Sequence, residues 1–321
     1  MHPPLVIQAS RGSPAELGAL LERDRDAITA RLLAAGALLF RGYSIRSADD
    51  LGAVQARLGE SMRYLGGDSP RTRLTKNSNV YTSTEAMKSV PLPLHNELSY
   101  MDAQPRLLWF ACLTPPAHGG ATTLADGRSV LASIDLTIRE RFERHGVRYT
   151  LGFRGPGQPL EALDRFAKIN KSWMDAFETT DRREVERHCR ETNTRFEWTR
   201  RGHLVIETDR PATKRHPITN ELAWFNQAHL FEFNTRYLGR VRYELARAFF
   251  AATGLVPHGA SFGDGSPLGD DVINHVFDVL EALAKPVEWE AGDVLVIDNV
   301  LCMHGRASFR GARKIAVAMS A

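Results

Sequence analysis

Among the 11 histidines of this chain, only His95 stands two residues before an acidic side chain, in Leu94-His95-Asn96-Glu97-Leu98. Side chains alternate along an extended segment, so His95 and Glu97 would share one face. An imidazole nitrogen and a carboxylate oxygen on one face can hold a single cation, and this donor pair suits iron, manganese or zinc. With 38 acidic residues in 321, one such pair is expected by chance, and taken alone it reads as a satisfied structural histidine. A catalytic metal needs a third ligand brought by the fold, and open positions for substrate. His304 is the candidate. It lies in Asp298-Asn299-Val300-Leu301-Cys302-Met303-His304-Gly305-Arg306, just past an apolar run at 294–297. Junctions of this kind, where a strand runs out into a loop, often carry functional residues. A partnerless surface histidine is the competing reading.

Two further stretches could handle an anion. Arg306, Arg310, Arg313 and Lys314 lead into the apolar run Ile315-Ala316-Val317-Ala318-Met319. A guanidinium at the mouth of an apolar strand needs a carboxylate, which its planar fork can hold through two parallel bonds. The plain alternative is a solvated basic turn, and at most one of the four is expected to be functional. Upstream, Gly119-Gly120-Ala121-Thr122-Thr123-Leu124-Ala125-Asp126 offers a tight turn followed by hydroxyls that could donate to an anion. A simple turn into a strand explains it as well.

These residues are far apart in sequence, so the fold must assemble them. The first 60 residues read as helical with one strand between. Ser13-Pro14-Ala15-Glu16 has the form of a capping box with proline in the first turn, 37–40 is a short apolar strand, and Ser47 with Asp50 opens another helix. From Val80 onward, short β-branched and aromatic segments at 79–82, 107–110 and 121–124 alternate with Gly, Pro and Asn, and similar ones return at 204–207, 293–297 and 314–319. Helices are expected at 240–253 and 270–285, the second after the acidic turn Gly263-Asp264-Gly265-Ser266-Pro267. Strands at both ends of a long span, without βαβ alternation, argue against a doubly wound sheet and for an α+β jelly roll or barrel with helical decoration. No linker divides the chain. A single domain over 1–321 is expected, with a helical part at about 1–75 and a charged insertion at about 161–201.

Composition narrows the function classes. A hydrophobic fraction of 43% and a net charge of +3 exclude a disordered chain and leave no electrostatic footprint for nucleic acid. No apolar run approaches 18 residues, and Met1-His2-Pro3-Pro4 lacks the basic head of a secretory leader, so neither membrane insertion nor export is expected. The three cysteines, Cys112, Cys189 and Cys302, form no CxxC pair. They fit a reducing, cytoplasmic setting, with Cys112 and Cys302 as small buried hydrophobes.

Taken together and in order, the motifs resemble the TauD/TfdA-like family of non-haem Fe(II), 2-oxoglutarate-dependent dioxygenases, and within it the SyrP-like and clavaminate-synthase-like branch. The resemblance rests on Val80-Tyr81-Thr82-Ser83-Thr84-Glu85, Leu94 through Tyr100, Gly119 through Asp126, Trp224-Phe225-Asn226-Gln227-Ala228-His229, Phe262 through Pro267, and Gly292 through Arg306. It spans about 75–320.

The resemblance implies a double-stranded β-helix (jelly-roll) core and an Fe(II) site made by His95, Glu97 and His304. Many relatives carry aspartate at the second position. Glutamate there is common in this branch, and a carboxylate at that place argues against halogenation. It further implies that Arg313 and Thr122 bind the distal carboxylate of 2-oxoglutarate, that dioxygen is the second cosubstrate, and that an unactivated C–H bond of an amino acid or a related small or carrier-tethered natural-product intermediate is hydroxylated. Desaturation, epoxidation and ring closure belong to the same chemistry. A second arginine found four positions beyond the first in some relatives is replaced by Val317. Trp224 and Asn226 are candidate substrate contacts, with a core Trp-Phe pair as the alternative. The 161–201 segment is a candidate lid, or else a solvated helical decoration. Two other classes stay open: a zinc hydrolase on the same His-Glu-His set, and a non-catalytic jelly-roll binding module.

Overall fold

Alternation along the strand Leu107–Thr114 divides its side chains between two cores: Leu108, Phe110 and Cys112 enter one, Leu107, Trp109 and Ala111 the other. The computed structural model, which describes residues 4–67, 69, 71–76, 78–84, 87–157 and 171–321, sets this strand inside a six-stranded sheet. The order across the sheet is Leu5–Gln8, Ala37–Arg41, Val294–Asp298, Leu107–Thr114, Lys314–Ser320 and Val80–Thr82. Every neighbouring pair is antiparallel except the first. The fold is α+β.

Each face of this sheet has its own cover. On one side Leu38, Phe40, Trp109, Val294, Val296, Ala316 and Ala318 pack with Leu17, Leu21, Ile28, Leu32, Leu51 and Val54 from the helices Pro14–Arg23, Arg25–Ala35 and Ala48–Gln55. On the other, Leu39, Leu108, Phe110, Leu295, Ile297, Val317 and Met319 share a core with Leu94, Leu124, Ala125 and Met303. Those four belong to a second sheet, ordered Lys285–Val287, Thr122–Asp126, Cys302–Arg306, Leu92–His95. A third sheet, Gly259–Phe262, Val147–Phe153, Leu204–Arg210 and Arg195–Trp198, extends the same core through Val147, Tyr149, Leu151, Phe153 and Phe262.

The capping boxes form as the sequence predicts. Ser13 Oγ accepts from the Glu16 amide while Glu16 accepts from the Ser13 amide, and Ser47 with Asp50 repeats the exchange. Other local readings need correcting. The N-terminal helical stretch breaks at Asp24 into two helices, and it is preceded by a strand, Leu5–Gln8, too short to show a period. The helix Asp270–Leu283 is capped by Gly269 with no side-chain bond; Asp264 instead accepts from Ser266. Lys285 starts the next strand rather than ending the helix, because Pro286 fits an edge strand and cannot continue a helix.

Of the charged insertion, residues 161–170 lie outside the described residues, as do Glu85 and residues 1–3. Residues 171–201 include the helices Trp173–Phe177 and Arg182–Glu191 and the strand Arg195–Trp198, anchored by buried Trp173, Ala176, Phe177, Val185 and Cys189. All three cysteines are free and buried, and burial pushes the Cys112 thiol up to about 12 and that of Cys189 to about 11. Among the described residues no helix is long and apolar enough to cross a membrane.

Leu38 points into the helix-covered core, away from the second sheet. Leu38→Ala should lower unfolding free energy by about 2–5 kcal/mol in urea titrations, while turnover per folded molecule stays near wild type.

Candidate active site

His304 does not sit in a loop; it lies within the strand Cys302–Arg306, directly opposite His95 on the antiparallel neighbour Leu92–His95. That register brings two imidazoles from distant parts of the chain to a ring separation of 4.3 Å. Gly305 makes the close approach possible: a Cβ there would stand 2.6 Å from the Leu92 carbonyl oxygen and 2.7 Å from Thr123 Oγ1. The glycine noted after His304 is therefore a requirement of strand contact. His95 Nδ1 donates to the Pro93 carbonyl at 2.9 Å, which leaves Nε2 with its lone pair. Burial, reinforced by the neighbouring His304, pushes the His95 pKa down to about 3, so the ring stays neutral and able to ligate.

Glu97 reaches the same place by a different route from the one its spacing predicts. The strand ends at His95, and Glu97 opens a turn in which Leu98 takes a left-handed backbone, φ 53°. Asn299 holds that turn: its Oδ1 accepts from the Glu97 amide at 2.8 Å, and its Nδ2 donates to the carbonyls of Glu97 and Pro105. Asn96 returns a bond to the Asn299 carbonyl at 2.7 Å. The ligand atoms of His95, Glu97 and His304 all lie within 4.8 Å of one another, and all three side chains are buried.

The electrostatics of the trio are those of a cation site. Burial would raise the Glu97 carboxyl, but Arg71 and the two histidines hold it well below the usual carboxylate range. Arg71 Nη2 donates to Glu97 Oε2 at 2.6 Å, and His304 Nε2 stands 3.6 Å from that same oxygen. His304 Nδ1 is buried without a hydrogen-bond partner among the described residues. Two imidazoles and one ionised carboxylate, with a buried ring nitrogen left over, fit a divalent iron ion.

A cavity that reaches the trio at His304 is lined also by Thr122, Arg313, Arg71, Ser83 and Phe110, among others. The basic run downstream of His304 resolves here. Arg310 and Lys314 are exposed. Arg306 is buried, and its guanidinium donates to the carbonyls of Thr84, Met87 and Val90. Arg313 lines the cavity; its Nε donates to the Gly120 carbonyl at 3.0 Å and its Nη1 to Ser83 Oγ at 3.4 Å, with no carboxylate partner among the described residues. Burial and repulsion from Arg306 lower its pKa to about 10. The Gly119-Gly120 turn takes left-handed φ values of 66° and 74°, and a Cβ on Gly119 would meet the Ser308 carbonyl at 2.4 Å. Thr122 follows it, buried, with its Oγ1 accepting from Trp289 Nε1 at 3.1 Å. Its own hydroxyl proton is thereby left to point elsewhere.

Trp224 and Asn226, the candidate substrate contacts, are not among the residues that line this cavity. Trp224 is fully buried against Phe142 in an edge-on contact. Asn226 is also fully buried and donates to the Ala212 carbonyl while accepting from the Ala228 amide. Both serve the core. Conversely, Arg71, Asn299 and Trp289 were not singled out. Arg71 lies in a polar stretch that reads as solvated loop, and Asn299 carries no local signal. Trp289 stood between two glutamates, an apolar side chain at the inward position of an alternating run.

A metal-binding donor set of this kind, buried inside a mixed α+β fold, marks the class of non-haem iron oxygenases. The chain belongs to the family described as taurine catabolism dioxygenase TauD, TfdA family, whose model it matches over residues 2–319. It is 33% identical over 287 residues to the dapdiamide synthesis protein DdaC of Enterobacter agglomerans, covering 88% of this chain and 82% of that protein. To a clavaminate synthase-like protein of Arabidopsis thaliana it is 30% identical over 289 residues, 87% of this chain and 80% of the other. Among solved structures, PvcB, described as an Fe, alpha-ketoglutarate dependent oxygenase from an isonitrile synthetic pathway, superposes with a TM-score of 0.53 at 14% identity over 99% of this chain and 86% of its own. A taurine dioxygenase from Burkholderia xenovorans gives 0.52 at 15% identity over 100% and 87%. The last two likenesses concern the fold. The protein is thus an Fe(II)/2-oxoglutarate-dependent dioxygenase with dioxygen as cosubstrate, and the hydrolase and binding-module readings fall away.

Two outcomes follow from the geometry. Asn299→Ala leaves the Glu97 amide and two carbonyls without their partner. It should lower stability by about 3 kcal/mol in denaturant titrations and weaken Fe(II) binding in parallel. For pH, the folded pKa of His95 lies below its unfolded value, so the unfolded chain binds the extra proton. The metal-free protein should lose stability as pH falls from about 6.5 toward 3. In His95→Gln the slope of stability against pH between about 6.5 and 4.5 should shrink by up to about 1.4 kcal/mol per unit, read from melts across that range.

Proposed function

We propose that His95, Glu97 and His304 hold Fe(II), that Arg313 and Thr122 receive the distal carboxylate of 2-oxoglutarate, and that the enzyme hydroxylates an unactivated C–H bond. The substrate would be an amino acid, a related small acid or a carrier-tethered intermediate of natural-product assembly. Two relatives support that substrate range by description: DdaC is a dapdiamide synthesis protein, and PvcB comes from an isonitrile synthetic pathway. The two facing sheets are read as a double-stranded β-helix (jelly-roll) core in a single domain over 1–321, with 161–201 as an insertion.

The observation that carries the 2-oxoglutarate assignment is Arg313: a half-buried guanidinium in the cavity of His304, with no carboxylate partner among the described residues. A buried cation without a counter-charge is costly, and a dicarboxylate cosubstrate supplies one. When bound, iron and 2-oxoglutarate supply the oxidising power, through oxidative decarboxylation to succinate and carbon dioxide. The chain supplies position and dryness. Pro93 fixes the His95 tautomer, and Asn299 keeps Glu97 turned toward the histidines. Trp289 takes the Thr122 acceptor site, so the Thr122 hydroxyl donates to the carboxylate rather than accepting. Phe110, Leu92 and Val317 give the cavity apolar walls that keep water from the reacting centre. Arg306 ties down the carbonyls of Thr84, Met87 and Val90 beside it.

Arg313→Ala should weaken 2-oxoglutarate by about 2–5 kcal/mol, which is roughly 30-fold or more in its apparent KM, measured as succinate formed. Arg310→Ala, altering an exposed side chain, should leave that KM near wild type. The opposite pattern would reverse the assignment.

A further inference from the structure

Arg71 leaves more of its guanidinium open than Arg41, Arg128 or Arg306. Arg41 is met by Asp293, Glu290 and the Glu288 carbonyl, Arg128 by Asp126 and Glu221, and Arg306 by three carbonyls. The Arg71 side chain is 3% exposed. Its Nη2 reaches Glu97 at 2.6 Å and Thr84 Oγ1 at 3.5 Å. Nε and Nη1 have no hydrogen-bond partner among the described residues. Each of the two outward edges of the guanidinium includes Nη2 and one of these unpartnered nitrogens, so each edge is half filled. The flat face is fixed by the Tyr64 ring, 4.9 Å from the guanidinium carbon, which limits swinging toward solvent.

The placement of this cation gives it a use. Arg71 lines the same cavity as His304, Thr122 and Arg313, and it pairs with the carboxylate proposed as an iron ligand. Arg313, beside Ser83 and Thr122, accounts for one anion. Val317 also lines the cavity and offers no charge. The two open nitrogens of Arg71 leave room for a further acceptor on the Glu97 side.

We propose that Arg71 receives a free carboxylate of the substrate, so that the enzyme oxidises small carboxylic acids in their ionised form rather than esters or carrier thioesters. The inference rests on the assignment of iron and 2-oxoglutarate made above and narrows its substrate range. A planar guanidinium with donors to spare recognises a carboxylate through paired, charge-assisted bonds, and an uncharged ester carbonyl forfeits most of that interaction. Because Glu97 sits on the same guanidinium, an acid held there has its neighbouring carbons close to the metal ligands. The other source of a carboxylate is the ketoacid end of 2-oxoglutarate, and the test separates the two.

The experiment uses the full chain loaded with saturating Fe(II) and 2-oxoglutarate, scored by succinate formed above the substrate-free rate. The probes are the 20 common amino acids, their N-acetyl derivatives and the matching 2-hydroxy acids, each alongside its methyl ester. Wild type should respond to acids about 30-fold or more better than to their esters in kcat/KM. In Arg71→Gln that ratio should collapse toward one, and Arg71→Lys should restore part of it. Because acid and ester are compared on the same enzyme, a general loss of iron affinity does not mimic the result. Three results overturn the proposal: esters matching acids on wild type, no acid of the set raising turnover, or Arg71→Gln raising the KM for 2-oxoglutarate while keeping the acid preference. The last would give Arg71 to the cosubstrate. Failure of the underlying assignment looks different, because wild type would then form no succinate and bind no Fe(II) with 2-oxoglutarate under anaerobic conditions.

Discussion

The antiparallel pairing that sets His95 against His304 is the constraint on which the rest depends. A strand slipped by one residue presents its opposite face, so a single register error would remove an imidazole from the site and put Met303 or Gly305 in its place. The pairing is tight because Gly305 removes the side chain that would hold the strands apart. It is flanked on the other edge by Thr122–Asp126, which fixes Cys302–Arg306 from both sides. The two imidazoles are therefore held by ladder hydrogen bonds, and their ring geometry inherits the stiffness of the sheet, while Glu97 is held by its turn.

Around this pairing the protein buries an unusual amount of charge. Arg71, Arg306 and Arg313 line one cavity and Glu97 pairs with the first of them, and charges taken out of water are costly unless each finds a partner. Glu97 is met by Arg71, and Arg306 rests on carbonyls through both terminal nitrogens, whereas among the described residues Arg313 has no carboxylate and Arg71 has two nitrogens without a partner. The two apolar cores on either side of the six-stranded sheet provide the stability against which such a site can be held, and the side chains of Leu107–Thr114 contribute to both. The unmet donors mark where ligands belong.

What could be read from the sequence divides by range. The capping boxes at Ser13 and Ser47 and the strands near 107–110 and 314–319 follow from residues close together in the chain, where local chemistry decides. His95 and Glu97 were visible as a pair, although the geometry that unites them is a strand end and a turn held by Asn299 rather than a continuous strand. The resemblance to a known family singled out Arg313 among four neighbouring cations, and the structure gives the physical distinction: Arg310 and Lys314 are exposed, while Arg306 is occupied by carbonyls. Arg71 and Asn299 were illegible because their importance arises from contacts across long sequence separations. Trp224 and Asn226 are fully buried away from the cavity of His304, and their sequence could not tell the two settings apart, because an aromatic and an amide close together look the same in a pocket wall as in a core.

The position of the strand Lys314–Ser320 has a consequence for biosynthesis. It lies between Leu107–Thr114 and Val80–Thr82, yet it leaves the ribosome after both. Its other neighbour, Val294–Asp298, is late as well, so until the two arrive the nascent chain presents Leu107–Thr114, rich in Leu, Trp and Phe, with both edges unsatisfied, a template for pairing with other chains. The emerging polypeptide thus passes through an interval in which chaperone capture competes with self-association, and insertion of the last segment ends it.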